Sequence, residues 1–132
     1  MMDDGSGAYT KDGTSMYENA LFQLIERFLE DHPNVDKKRI YIGGCSNGGF
    51  MTMRMVLSKP SLFAAAFPVC QAFKPEWITD EQIHGIVNLP IWQVHSRDDG
   101  VVPFSVSESA NQKLISAGAK IATYGIQFLS TV

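Results

Sequence analysis

Cysteine, histidine, blocks of like charge and long apolar runs are all scarce in this sequence, and each scarcity excludes a class of protein. Two cysteines, Cys45 and Cys70, are too few for a disulfide framework. Their spacing relative to His32, His84 and His95 is not that of a metal site, so both read as buried, reduced thiols. Lys and Arg number 11 against 14 Asp and Glu, with neither sign in a block, which removes the electrostatic footprint of a nucleic-acid binder. The longest apolar run, Leu62 to Cys70, contains Pro68 and falls far short of the roughly 20 residues that cross a bilayer, so no membrane span is expected. Met1 to Gly5 has neither a basic start nor an apolar stretch with a cleavage site. No secretory signal is visible, and a cytoplasmic location is the expectation.

What is present suffices for one folded domain. The chain has 132 residues, of which 45% are hydrophobic and 19% charged, enough apolar material for a core and too much for a disordered chain. Residues 1–14, rich in Gly, Asp, Ser and Thr, read as an irregular segment, and residues 15–132 as the domain. Ser15 and Glu18 form a capping-box pattern, after which Tyr17, Ala20, Leu21, Leu24, Ile25, Phe28 and Leu29 recur at helical spacing up to His32 and Pro33. Arg39 to Gly43 reads as a buried strand, Asn47 to Ser58 as a helix, and Phe63 to Val69 as a second strand. A short helix opened by Thr79 and Gln82 precedes a third strand, Ile91 to His95. A helix opened by Ser105 and Glu108 and closed by Gly118 leads to a fourth, Lys120 to Phe128. This alternation predicts an α/β fold: a mostly parallel sheet of about four strands with helices on both faces.

One motif carries chemistry. Gly44, Cys45, Ser46, Asn47 and Gly48 spell G-x-S-x-G directly after a predicted strand and directly before a predicted helix. In a sharp strand-to-helix turn the serine is held strained with its hydroxyl exposed. Side chains two residues before and after it would clash with neighbouring backbone, and Gly44 and Gly48 remove those clashes. The following helix aims its N-terminal N–H groups at the reaction centre, which makes the Asn47 N–H an oxyanion donor. The competing readings are a plain glycine-rich turn and a phosphate-binding loop. The latter lacks its Lys and Ser or Thr, because Gly49 and Phe50 occupy those places.

With the run Arg39 to Gly49 around the serine and Leu89 to Pro103 further on, the sequence resembles the α/β-hydrolase superfamily, specifically its esterase and prolyl-oligopeptidase-like members. The resemblance covers about residues 15 to 125 and implies a partial α/β-hydrolase fold. It implies Ser46 as nucleophile and Asp99 as the acid that orients a histidine, with Asp98 ranked second; the other reading of the two aspartates is a turn before the last helix. It implies no metal and no organic cofactor, and a small-molecule ester or peptide as substrate.

Two departures shape the expectation of function. Chain order in the family is Ser, Asp, His, and no histidine follows His95. His32 is expected at the opposite end of the sheet from Ser46, His95 matches a structural histidine, and His84 lies in a short helix. None is assigned as the general base, and the triad histidine is expected to be missing. The family's earlier strands and its second oxyanion donor are also expected to be missing, as in a truncated C-terminal portion of a longer hydrolase. That would leave an exposed sheet edge through which a homo-oligomer could form. The leading reading is hydrolysis of carboxylic esters, with peptides or amides second, through Ser46 and an acyl-enzyme. The alternative is an inactive fragment that serves as a folding or association module. Phe73, Trp77, Trp92 and Phe104 are read as core before pocket wall, and Met51, Met53 and Met55 as gap-fillers. Cys45 and Cys70 end predicted strands on the same side of the sheet, where they can approach each other, with a disulfide as the minor alternative.

Overall fold

The computed structural model describes Thr10 and residues 12–126. Four strands, β1 (Tyr41–Cys45), β2 (Ala65–Val69), β3 (Ile91–Ser96) and β4 (Ile121–Ile126), form one parallel sheet in the order β1-β2-β3-β4. The helices are α1 (Glu18–Asp31), α2 (Asn47–Ser58), α3 (Asp80–Ile86) and α4 (Phe104–Ser116). The end of the fourth strand expected at Gln127 and Phe128, and most of the irregular segment 1–14, lie outside the described residues.

Among the described residues the helices do not cover both faces, although their alternation with strands suggests it. Successive strands sit side by side in chain order, and right-handed crossovers between such strands all fall on the same side. Strand burial follows. Ile42, Gly44, Ala66, Pro68, Ile91, Gln93 and His95 point into the layer beneath the helices or are partly covered there. On the opposite face Tyr41 is 59%, Phe67 53% and Trp92 57% exposed. Trp92 is therefore not the core residue its strand position suggested; the period-2 alternation puts it on the open face. Alternating strands and helices are compatible with either arrangement, and only a reversal of strand order would place helices on both sides.

Between sheet and solvent, α2 is the central helix. Phe50, Met53, Met55, Val56 and Leu57 are all buried, because α1 and α3 pack around it as well as the sheet beneath. This is why Met53 and Met55 both find core positions although they cannot share one face, while Met51 is partly buried. Helix α1 docks through Phe22 and through ion pairs from Glu18 to Arg54 (2.6 Å) and Glu26 to Lys59 (3.0 Å). The capping box expected at Ser15 and Glu18 does not form: Ser15 Oγ accepts from the Tyr17 N–H, and Glu18 is drawn to the part-buried Arg54. At α4 the helix begins at Phe104 behind Pro103, without a Ser105 cap. The Thr79 and Gln82 box closes as expected. Gly118, at φ +86°, ends α4, with Ala119 N–H donating back to the Leu114 carbonyl.

Candidate active site

Ser46 sits at the junction of β1 and α2 with φ 57° and ψ −114°, one of two positive-φ residues other than glycine among the described residues. Its N–H donates to the Val69 carbonyl (3.0 Å) and its carbonyl accepts from Phe50 N–H (2.9 Å), so both neighbouring elements hold the strained turn. The residue is exposed. A Cβ on Gly44 would lie 2.5 Å from the Gly48 carbonyl carbon, which excludes any side chain there. The crowding is one-sided, because a Cβ on Gly48 would meet nothing within 4 Å. The second tight position is instead Gly49, whose Cβ would lie 2.5 Å from the Val69 carbonyl oxygen and so sets how closely α2 approaches β2. Asn47 is the first residue of α2 and, with Ser15, Tyr17, Leu21, Gly48, Phe50 and Met51, lines an apolar hollow beside the elbow.

Asp99 follows β3. Its Oδ1 accepts from the N–H groups of Val101 and Val102, both at 2.9 Å, and its Oδ2 lies 3.4 Å from His95 Nε2. Those two backbone donors, and then the His95 ring, hold the carboxyl below the usual carboxylate range. Asp98 is exposed and hydrogen-bonded to Ser96 Oγ, the arrangement of a local turn.

The expectation that this chain carries no triad histidine is overturned by His95. Its Nδ1 lies 2.5 Å from Ser107 Oγ and its Nε2 faces Asp99, so Ser107, His95 and Asp99 form a complete serine–histidine–carboxylate arrangement. Nε2 also lies 2.8 Å from the Val102 carbonyl, which can only accept, so Nε2 carries a proton. In the familiar triad Nε2 faces the serine and Nδ1 the carboxylate; here the two nitrogens exchange roles. The set is interior, His95 being 1% exposed and Ser107 0%. It belongs to a wider buried network in which Ser107 Oγ reaches the Gln71 carbonyl, Gln71 Nε2 donates to Gln93 Oε1, and Gln93 Nε2 donates to the Ser107 carbonyl.

Sequence reasoning missed Ser107 because it lies one turn into a helix, with no motif around it. The available signal was Gln93, a polar residue inside an otherwise apolar strand, which must find buried partners. The other histidines stay apart: His32 caps α1 against the Phe28 carbonyl, and His84 is exposed on α3. Phe73 and Trp77 pack with Phe50 in an aromatic cluster with ring centres 5.3 to 6.0 Å apart, the core role expected of them. Phe104 lies edge-on to the His95 ring, with the Arg97 guanidinium 4.7 Å from its own ring centre.

A parallel sheet with a strained serine at a strand-to-helix elbow, and an acid at the end of a later strand, is the α/β-hydrolase arrangement. The chain belongs to the phospholipase/carboxylesterase family, whose model matches residues 4–126. No curated protein matches the sequence. Among solved structures, a thermostable esterase is similar at 33% identity and a TM-score of 0.74, over 85% of this chain and 28% of that one. The acylaminoacyl peptidase of Pyrococcus horikoshii is similar at 19% identity and a TM-score of 0.74, over 92% of this chain and 24% of that one. A variant of Arabidopsis thaliana SOBER1 is similar at 22% identity and a TM-score of 0.64, over 84% and 53% respectively. The last two share the fold alone, and the chain spans about a quarter to a half of the length of these three proteins.

Proposed function

We propose that this chain bears the nucleophile of a serine hydrolase acting on carboxylic esters, with peptides or amides as the second substrate class, and that the nucleophile is Ser46. The observation that carries the reading is the elbow: an exposed serine at φ 57°, seated on a glycine that admits no side chain. In this reading Ser46 Oγ attacks the ester carbonyl carbon and the Asn47 N–H receives the developing oxyanion at the start of α2. The proton that Ser46 Oγ gives up passes to the departing alcohol, and water then adds to the acyl carbon, releasing the acid and returning a proton to Ser46. Asp99 is the carboxylate partner of His95. The similarity to an esterase at 33% identity supports the ester class, and the apolar hollow at Asn47 and Gly48 suits an acyl chain.

A second reading takes Ser107 as the attacking hydroxyl. One observation favours it: Ser107 Oγ lies 2.5 Å from His95 Nδ1. Its burial opposes it, since an ester carbonyl must reach the oxygen. Intact-mass analysis after treatment with a fluorophosphonate separates the two. Labelling of the parent and of Ser107→Ala but not of Ser46→Ala is the expected result. Labelling that persists in Ser46→Ala and vanishes in Ser107→Ala would transfer the role to Ser107, and a folded parent that takes no label would defeat both readings.

A further inference from the structure

The two cysteines are not the buried, separate thiols that composition suggests. Cys45 ends β1 and is exposed, Cys70 follows β2 and is half-buried, and their sulfurs lie 3.4 Å apart across the sheet. We propose that Cys45 and Cys70 form a reversible intrachain disulfide site beside the elbow, oxidised by a small disulfide of the glutathione class.

Three observations carry it. The sulfurs already touch, so side-chain rotation has only to bring them from van der Waals contact to the roughly 2.05 Å of a disulfide. The backbone on both sides is held in place: Cys45 and Val69 are register partners in adjacent parallel strands, Ser46 N–H donates to the Val69 carbonyl, and Cys70 N–H donates to the Val94 carbonyl (2.8 Å). Cys70 is also the other described non-glycine residue at positive φ (39°), so the turn that carries its sulfur to Cys45 has a defined backbone conformation.

The chemistry assigns the two sulfurs different parts. Cys45, the exposed one, attacks one sulfur of oxidised glutathione as its thiolate, forming a mixed disulfide and releasing one reduced glutathione. Cys70, its proton given to solvent, then attacks Cys45 Sγ and releases the second. Two protein thiols are oxidised and one glutathione disulfide is reduced. Burial, followed by the neighbouring Cys45 sulfur, pushes the Cys70 thiol above its ordinary range, which suits it to the second, intramolecular step rather than the first. The cross-link spans 25 residues and ties β1 to the end of β2 next to Ser46, whichever serine is the nucleophile.

The test equilibrates the parent chain in glutathione buffers of stepped oxidised-to-reduced ratio, quenches with acid and N-ethylmaleimide, and reads intact mass and a peptide map. The expected result is a monomer lighter by two hydrogens, with a Cys45–Cys70 linked peptide, reverting fully with dithiothreitol. Cys70→Ser should stop at a single glutathione adduct on Cys45. A parent that stays reduced at every ratio, accumulates a stable glutathione adduct, or links into disulfide dimers would overturn the proposal. Because the readout is mass, it stands or falls independently of the fluorophosphonate result.

Discussion

Two serines of this chain meet opposite fates. Ser46 lies exposed at the end of β1, and its hydroxyl has no hydrogen-bond partner among the described residues, whereas Ser107 lies sealed on the inner side of α4 with His95 and the Gln71 carbonyl both in reach. The first is placed by backbone alone: a positive φ, a glycine two residues earlier and two backbone hydrogen bonds. The second is placed by the side chains of His95 and Gln93 from β3 and by the Gln71 carbonyl after β2. The exposed serine is held from below by main chain, and the buried one is held by polar atoms of the interior. The two arrangements therefore break under different substitutions.

The largest expected effect falls on the buried cluster. Replacing His95 with alanine leaves the Ser107 hydroxyl and the Val102 carbonyl each short of a buried partner and opens a cavity, a loss of about 3 kcal/mol or more, read by urea denaturation. A loss under about 1 kcal/mol would mean that water or neighbouring side chains replace the ring. Next comes the elbow. Gly44→Ala forces a methyl into the Gly48 backbone and should cost about 2 kcal/mol. Fluorophosphonate labelling should be lost with it while far-UV dichroism persists; an unchanged labelling rate would show that the elbow relaxes without moving Ser46.

Asp99, beside His95 in the buried cluster, gives a smaller, pH-dependent effect. Its carboxyl is held below its ordinary range when folded, so its stabilisation is present above the unfolded value of about 4 and is lost as pH falls through the lower folded value. The parent should exceed Asp99→Asn by about 1 kcal/mol at neutral pH, a gap that closes on acidification below about pH 4. A gap that instead widened in acid would show that the charge is a burden on the acid loop. Smallest and opposite in sign is Gly48→Ala, where the new methyl enters open space within a helix and should add about 0.5 kcal/mol. Any loss of stability there would restore the two-sided crowding expected from the motif.

Much of this was legible before the structure. Helix α2 at Asn47–Ser58 matches the span read from Phe50, Met53, Val56, Leu57 and the stop before Pro60, because those signals act within one turn of the chain. The Thr79 cap was legible for the same reason. Ser15 and Glu18 show the same pattern and do not cap, since Arg54, 36 residues away from Glu18, offers the carboxylate a part-buried charged partner. A local motif was thus overridden by a contact that no window of sequence contains. His95 followed the same course: read as a structural histidine, it does have a structural place, but the serine that completes its set comes from α4.

What the sequence determined by itself is what depends on near neighbours along the chain: the period of each helix and strand, the elbow at Ser46, and the α/β character. Tertiary structure alone decided which face of the sheet stays open, which serine meets His95, and that Cys45 and Cys70 touch. Each of these depends on strand order and register. Moving a strand one place across the sheet, or one residue along it, leaves every local signal intact and changes every partner.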